Sequence, residues 1–172
     1  FFSDKAQMYR ARVKDFDCDK ASSLGEYIPA KLGFDEGEKV VFMKVLNEYK
    51  EEDKFIFIFE NGKGVKVPVK AYETKSFRKK LTGAYSSASP IAGVFYEEQP
   101  FELLMIADNN KAIVINTKLI TEKTTRSSQG TALFKLKPKQ RIVNALRDFE
   151  EKYPSAKGCR KIKVPATGSS ME

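Results

Sequence analysis

The stretch Phe55-Ile56-Phe57-Ile58-Phe59-Glu60-Asn61-Gly62-Lys63-Gly64-Val65-Lys66-Val67-Pro68-Val69-Lys70-Ala71-Tyr72 decides the reading of this chain. It opens on an apolar run, turns at Glu60-Asn61-Gly62-Lys63, and returns with Val65, Val67 and Val69 alternating with Lys66, Pro68 and Lys70. Period-two alternation places neighbouring side chains on opposite faces of a strand. An Asn-Gly pair between two such runs predicts a hairpin, and Pro68 predicts an edge or a bulge. The arrangement occurs three times. Phe1-Phe2 leads through Ser3-Asp4-Lys5-Ala6 to Phe16, and Leu103 to Ile106 leads through Asp108-Asn109-Asn110-Lys111 to Ile120. The closing anchors Phe16, Tyr72 and Ile120 are 56 and 48 residues apart. Self-similarity at such a period predicts propeller-like blades or a related array.

Aligned on those anchors, Lys14, Lys70 and Lys118 share one position. One strand face carries Arg10, Arg12 and Lys14, then Lys66, Pro68 and Lys70, then Val114, Asn116 and Lys118. The other carries Tyr9, Ala11 and Val13, then Val65, Val67 and Val69, then Ile113 and Ile115. Each repeat is expected to bury the second face and present a partly cationic first face. Further strands are predicted at Tyr27 to Leu32, Val40 to Leu46, Leu81 to Tyr85, Ile91 to Tyr96, Thr131 to Leu136 and Arg160 to Val164. Ile142, Ala145, Leu146 and Phe149 fall at helical spacing and predict a helix over Pro138 to Lys152. The expected organisation is one all-β domain, with repeats at 1–53, 54–100 and 101–137, a helix and closing strand at 138–168, and a frayed tail at 169–172.

With 172 residues and 41% hydrophobic content the chain can bury a substantial core, and no apolar run approaches a bilayer span. These features predict a soluble, cytoplasmic protein. The opening Phe1, with neither Met nor a signal sequence around it, reads as a boundary inside a longer protein. Cys18 and Cys159 stand far apart without metal-ligand spacing, and reduced thiols are expected. The sequence has no histidine, which removes Ser-His, Cys-His and His-metal arrangements and argues against catalysis within this chain. Carboxylates such as Asp4, Glu60 and Asp108 recur as turn formers.

The formal net charge of +8 is unevenly spread. Residues 61–93 hold seven Lys/Arg against Glu73 alone, and residues 109–147 hold nine against Glu122 alone. Acids gather in connectors around Glu48 to Asp53, Glu97-Glu98 and Asp148 to Glu151. Basic elements separated by acidic linkers form the footprint of a polyanion binder. After each anchor comes a loop of basic and hydroxyl side chains: Lys20 in the first, Lys75, Arg78, Lys79 and Lys80 in the second, Lys123 and Arg126 in the third. Such side chains suit phosphate oxygens and are largely blind to base sequence.

The Gly62 to Tyr72 strand, the Arg126 to Gly130 loop leading into Thr131-Ala132-Leu133-Phe134-Lys135-Leu136, and the opening Phe-Phe-Ser-Asp-Lys resemble the C-terminal repeats of bacterial type IIA topoisomerase A subunits, those of DNA gyrase and topoisomerase IV. Residues 1 to about 137 carry the resemblance, and Cys159 to Gly168 is similar to the strand that ends such domains. It implies a β-pinwheel, a propeller-like ring of four-stranded blades whose basic rim binds and bends duplex DNA. The implied contacts are Arg10, Arg12, Lys14, Lys20, Lys66, Lys70, Lys75, Arg78, Lys79, Lys80, Lys118, Lys123, Arg126 and Lys135. The resemblance also implies partners, namely the breakage-reunion region of the same subunit and an ATPase subunit. ATP and Mg would be used there, with no cofactor in this chain. Two departures stand out: the Gln-Arg-Arg-Gly-Gly-Lys-Gly box of gyrase A has no counterpart, which points toward a topoisomerase IV-like A subunit or a divergent gyrase paralogue, and three repeats are counted where the family usually has five or six. A propeller-like module whose cationic face meets an acidic protein is the alternative.

Overall fold

The computed structural model describes residues 1–171 and consists of three four-stranded antiparallel sheets. Each is built on one of the anticipated hairpins: β1 (Phe2–Ser3) with β2 (Gln7–Tyr9), β4 (Lys54–Phe59) with β5 (Lys63–Pro68), and β8 (Glu102–Ala107) with β9 (Lys111–Asn116). The turns share a left-handed residue at the aligned position, with φ of 54° at Ala6, 84° at Gly62 and 60° at Asn110. Gly62 answers a second constraint, since a Cβ there would stand 2.5 Å from the Phe134 carbonyl oxygen.

A third strand joins each hairpin from the chain that follows it. β3 (Val40–Phe42) pairs with β1, β7 (Ile91–Glu97) with β4, and β11 (Ile142–Leu146) with β8. The fourth strand is delivered out of order. β6 (Lys80–Thr82) follows the second hairpin yet pairs with β2 of the first sheet, and β10 (Thr131–Ala132) follows the third hairpin yet pairs with β5 of the second. β12 (Ser169–Ser170) completes the third sheet on β9. The spatial blades are therefore out of phase with the sequence repeats at 1–53, 54–100 and 101–137.

Alternation along β4 holds the blades together. Phe55, Phe57 and Phe59 pack with Phe2, Met8 and Leu81 of the first blade, whereas Ile56 and Ile58 pack with Leu103, Met105, Ile113 and Ile115 of the third. The middle blade is thus buried on both faces, and each of these large side chains contributes about 1.5–3 kcal/mol relative to exposure. The far face of the third blade, with Leu104, Ile106, Ala112 and Val114, is covered by Phe149, Ala156 and Cys159. On the first blade, Glu38 is almost fully buried and accepts hydrogen bonds from Ser3 Oγ, Gln7 Nε2 (2.9 Å), Tyr9 OH (2.8 Å) and the Asp35 amide (2.8 Å). Burial pushes its carboxyl up, but the donors outweigh that and hold it below the usual range.

Three expectations are corrected. The 138–152 segment is not a helix: Ile142–Leu146 is strand β11, followed by a 3-10 turn at Pro154–Cys159. The register shifts between Ile142 and Asn144, leaving Val143 exposed as a bulge and turning both Ile142 and Ala145 into one core cluster. That bulge produces the three-residue spacing of a helix. Residues 28–32 are a short helix, α1 (Ile28–Leu32), rather than a strand, with Pro29 in its first turn and Gly33 closing it at φ 69°. Of the Arg160 to Val164 strand only Arg160 makes a bridge, to Val114, and the strand that completes the blade lies in the segment expected to fray. No helix among the described residues is long and apolar enough to cross a membrane.

Gly130 precedes the exchanged strand at φ 73°, where a Cβ would fall 2.2 Å from the Gly64 carbonyl oxygen. Gly130→Ala should cost at least about 1–2 kcal/mol in urea unfolding. It should also speed hydrogen exchange at the amides of Leu133 and Phe134, both of which donate to the Gly62 oxygen. Unchanged protection would show that the close approach does not seat β10. Because the folded state holds Glu38 deprotonated, its contribution is present above about pH 4.3, the carboxyl's unfolded value, and is lost as pH falls below it. Glu38→Gln should therefore flatten the acid limb of the stability–pH curve.

Candidate nucleic-acid interface

The cationic side chains divide by where the chain carries them. After β2, β5 and β9 the backbone enters single 3-10 turns at Val13–Asp15, Val69–Tyr72 and Thr117–Leu119. Lys14, Lys70 and Lys118 occupy the same place in each turn and are exposed, so the three copies are equivalent there although none of these residues lies on a strand. From the second and third turns the chain crosses a seam between blades to supply the fourth strand of the preceding one. Residues 73–79 lead into β6 and residues 121–130 into β10. Since β7 approaches both β3 and β11, these three edges converge, and β6, β10 and β12 lie on the opposite edge of their sheets, the rim. The basic loops therefore run along the rim.

The crossing segments are pinned to the strands beside them. Lys66 and Glu122 form a parallel bridge, with the Lys123 amide donating to the Lys66 oxygen at 2.8 Å. Val114 and Arg160 form the same bridge, with the Lys161 amide donating to the Val114 oxygen at 2.8 Å. Lys123 and Lys161 are thus structural equivalents. Sequence reasoning missed Lys161, because Arg147 to Gly158 replaces a hairpin ahead of it and breaks the spacing that revealed the other copies.

Not every residue expected at the interface is free. Lys66, 8% exposed, forms an ion pair with the equally buried Glu97 at 2.9 Å, so the supposed cationic face of β5 lies in the interior. Lys80 reaches Asp35 at 3.2 Å, and Lys70 reaches Glu73 at 2.9 Å, whose hydrogen bond and charge raise the ammonium's pKa. Arg126 is half-buried, donating to the Ala71 carbonyl at 2.8 Å. Arg10 donates to Thr74 Oγ1 at 2.7 Å, and both Arg10 and Arg12 lie over the Phe77 ring. Lys14, Lys75, Arg78, Lys79, Lys118 and Lys123 are exposed and form no ion pair among the described residues. Lys20 is exposed in the irregular stretch before α1. Lys135 is exposed near the opposite, hairpin-turn end of the blades, in a connector that also carries Lys137, Lys139 and Arg141. The 138–152 helix prediction concealed the last two.

No protein-family model matches this sequence, and no curated protein matches it. Among solved structures, the chain is similar to the crystal structure of the C-terminal domain of DNA topoisomerase IV, with TM-score 0.73 and 21% identity over 85% of this chain and 45% of that one. It is also similar to a DNA gyrase A C-terminal domain, with TM-score 0.57 and 12% identity over 85% of this chain and 46% of that one. The fold is the β-pinwheel of those domains. This chain spans about half the length of either.

The Lys66–Glu97 pair provides a test that separates structural from surface cations. Lys66 Nζ donates to Glu97 Oε1, and Oε2 has no hydrogen-bond partner among the described residues, so removing Lys66 strands a buried charge. Lys66→Ala should cost about 3–5 kcal/mol in denaturant unfolding, and the double change K66M/E97L should recover most of it. Lys75→Ala and Lys123→Ala should each stay within about 0.5 kcal/mol of the parent.

Proposed function

We propose that this chain binds duplex DNA through its phosphates, without sequence preference, along the basic rim of the pinwheel. The observation that carries the reading is the recurrence of unpaired, exposed cations on successive seam-crossing segments, Lys75, Arg78 and Lys79 on one and Lys123 on the next, beside the equivalent turns holding Lys14 and Lys118. A duplex following the rim would meet these groups in series, and bending it would be offset by the added contacts.

In this reading the chain is the DNA-guiding part of a bacterial type II topoisomerase A subunit, working in the cytoplasm on the nucleoid. Strand cleavage would belong to the breakage-reunion region, and ATP hydrolysis with Mg to a partner subunit. The missing gyrase box favours a topoisomerase IV-like role, because Arg126-Ser127-Ser128-Gln129-Gly130 is occupied in anchoring and turning the chain into β10. A nicked plasmid ligated in the presence of the protein should accordingly gain little positive writhe. A large saturating shift in linking number would assign gyrase-like wrapping instead.

The direct test is the salt dependence of binding to a mixed-sequence linear duplex. Changing Lys75, Arg78 and Lys79 together to Ala should weaken binding for every sequence and reduce the slope of log affinity against log salt by about 0.9 per lost contact, roughly 2–3 in all. Lys44, Lys50 and Lys152, beside the acidic connectors, form the charge-matched control. Equal loss in both triple variants would reduce the effect to net charge, and absence of duplex binding by the parent would leave the cationic surface to an acidic protein.

A further inference from the structure

The loop ahead of β6 contains an exposed aromatic whose surroundings the DNA-binding reading has not used. Phe77 is 41% exposed and sits between Lys75-Ser76 and Arg78-Lys79. The Arg10 guanidinium lies 5.0 Å from its ring centroid and that of Arg12 4.9 Å. Arg10 also lies 5.4 Å from the Tyr49 ring, donates to Thr74 Oγ1, and gives its backbone amide to the Lys79 oxygen at 2.8 Å. Neither guanidinium pairs with a carboxylate among the described residues, in a chain where Lys54, Lys66, Lys70, Lys80 and Arg160 all do.

Two like charges gathered at one ring repel each other. The negative face of an aromatic offsets part of that repulsion, and the remainder is relieved by an anion that both guanidinium groups can reach. Arginine presents planar donors that match phosphate oxygens, and Thr74 occupies only one Arg10 nitrogen. The same ring ties the 73–79 loop to the residues that leave β2, across the seam.

Resting on the DNA reading above, we infer that Phe77 is a positioning residue of the rim: its ring holds Arg10 and Arg12 together as a paired guanidinium site for a backbone phosphate and sets the loop that carries Lys75, Arg78 and Lys79. Phe77 carries no charge, so its removal changes the salt slope only through the cations that it positions.

The experiment measures the salt dependence of binding to one mixed-sequence duplex for the parent, F77A, F77L and F77W, with thermal unfolding followed in parallel. F77A and F77L should lose about 0.9–1.8 from the slope, the equivalent of one or two phosphate contacts, although no charge is removed. F77W, which keeps an aromatic face, should retain the parental slope. In an R10A/R12A background the F77L change should cost clearly less than it does in the parent, which a general loosening of the loop would not produce. If F77L binds like the parent, or if F77L costs as much with both arginines absent as with them present, the inference is wrong. F77L conserves apolar bulk and keeps the test decisive should F77A lower the unfolding temperature. A parent protein without salt-dependent duplex binding would overturn the DNA reading and this inference with it, an outcome distinct from normal parental binding and unaffected Phe77 variants.

Discussion

The first two blades each stay one strand short until the chain has built the hairpin of the next, and the rest of the structure depends on this exchange. The first blade waits for β6, which arrives only after β4 and β5 are made, and the second waits for β10, which arrives after β8 and β9. The contact between Gly64 and Gly130 is where this becomes a demand on sequence, because only residues without a Cβ allow the incoming segment to lie that close. In an ordinary repeat array each unit is locally complete and neighbours add an interface term. Here neighbours share sheets, so long-range pairing is built into every blade and the units cannot fold independently. Such non-local topology is associated with slow folding.

The exchange also explains why the basic loops lie where they do. A segment that leaves one hairpin to finish another blade has to cross the seam on the outer edge, and in this chain those segments carry Lys75, Arg78, Lys79 and Lys123. The acids take other posts. Glu38 and Glu97 are buried among donors or against Lys66, and Glu73 and Glu102 are matched to Lys70 and Arg160. Each of these acids is thus engaged by burial or by a cation of its own, and Lys75, Arg78, Lys79 and Lys123 are left without a carboxylate partner among the described residues.

Hairpins were legible because period-two alternation and the Asn-Gly and Asn-Asn turns are local. The Phe/Ile run at 55–59 announced a buried strand, and the structure adds that its two faces belong to different interfaces. What sequence could not show was partnership. Nothing local to Lys80-Leu81-Thr82 says that it pairs with Gln7 to Tyr9, and nothing local to Lys66 says that Glu97 neutralises it, 31 residues away. The bulge at Val143 imitated a helix by the same logic, since a register slip against β8 is invisible in the strand's own residues. The rim cations were found as a composition, but which of them were already engaged depended on those same distant contacts.

The segment from Arg147 to Met171 completes the third blade by a different route from the first two. It covers the far face of the third blade with Phe149, Ala156 and Cys159, then supplies β12, so it finishes a sheet without first making another hairpin. A gene encoding such an array can therefore gain or lose a blade cleanly only if the splice runs from one hairpin to the equivalent point in the next and leaves each closing strand with the sheet it completes. A cut placed at the visible repeat boundaries would leave a sheet without its fourth strand. Modular growth in this architecture has a reading frame of its own, set by strand ownership rather than by sequence similarity.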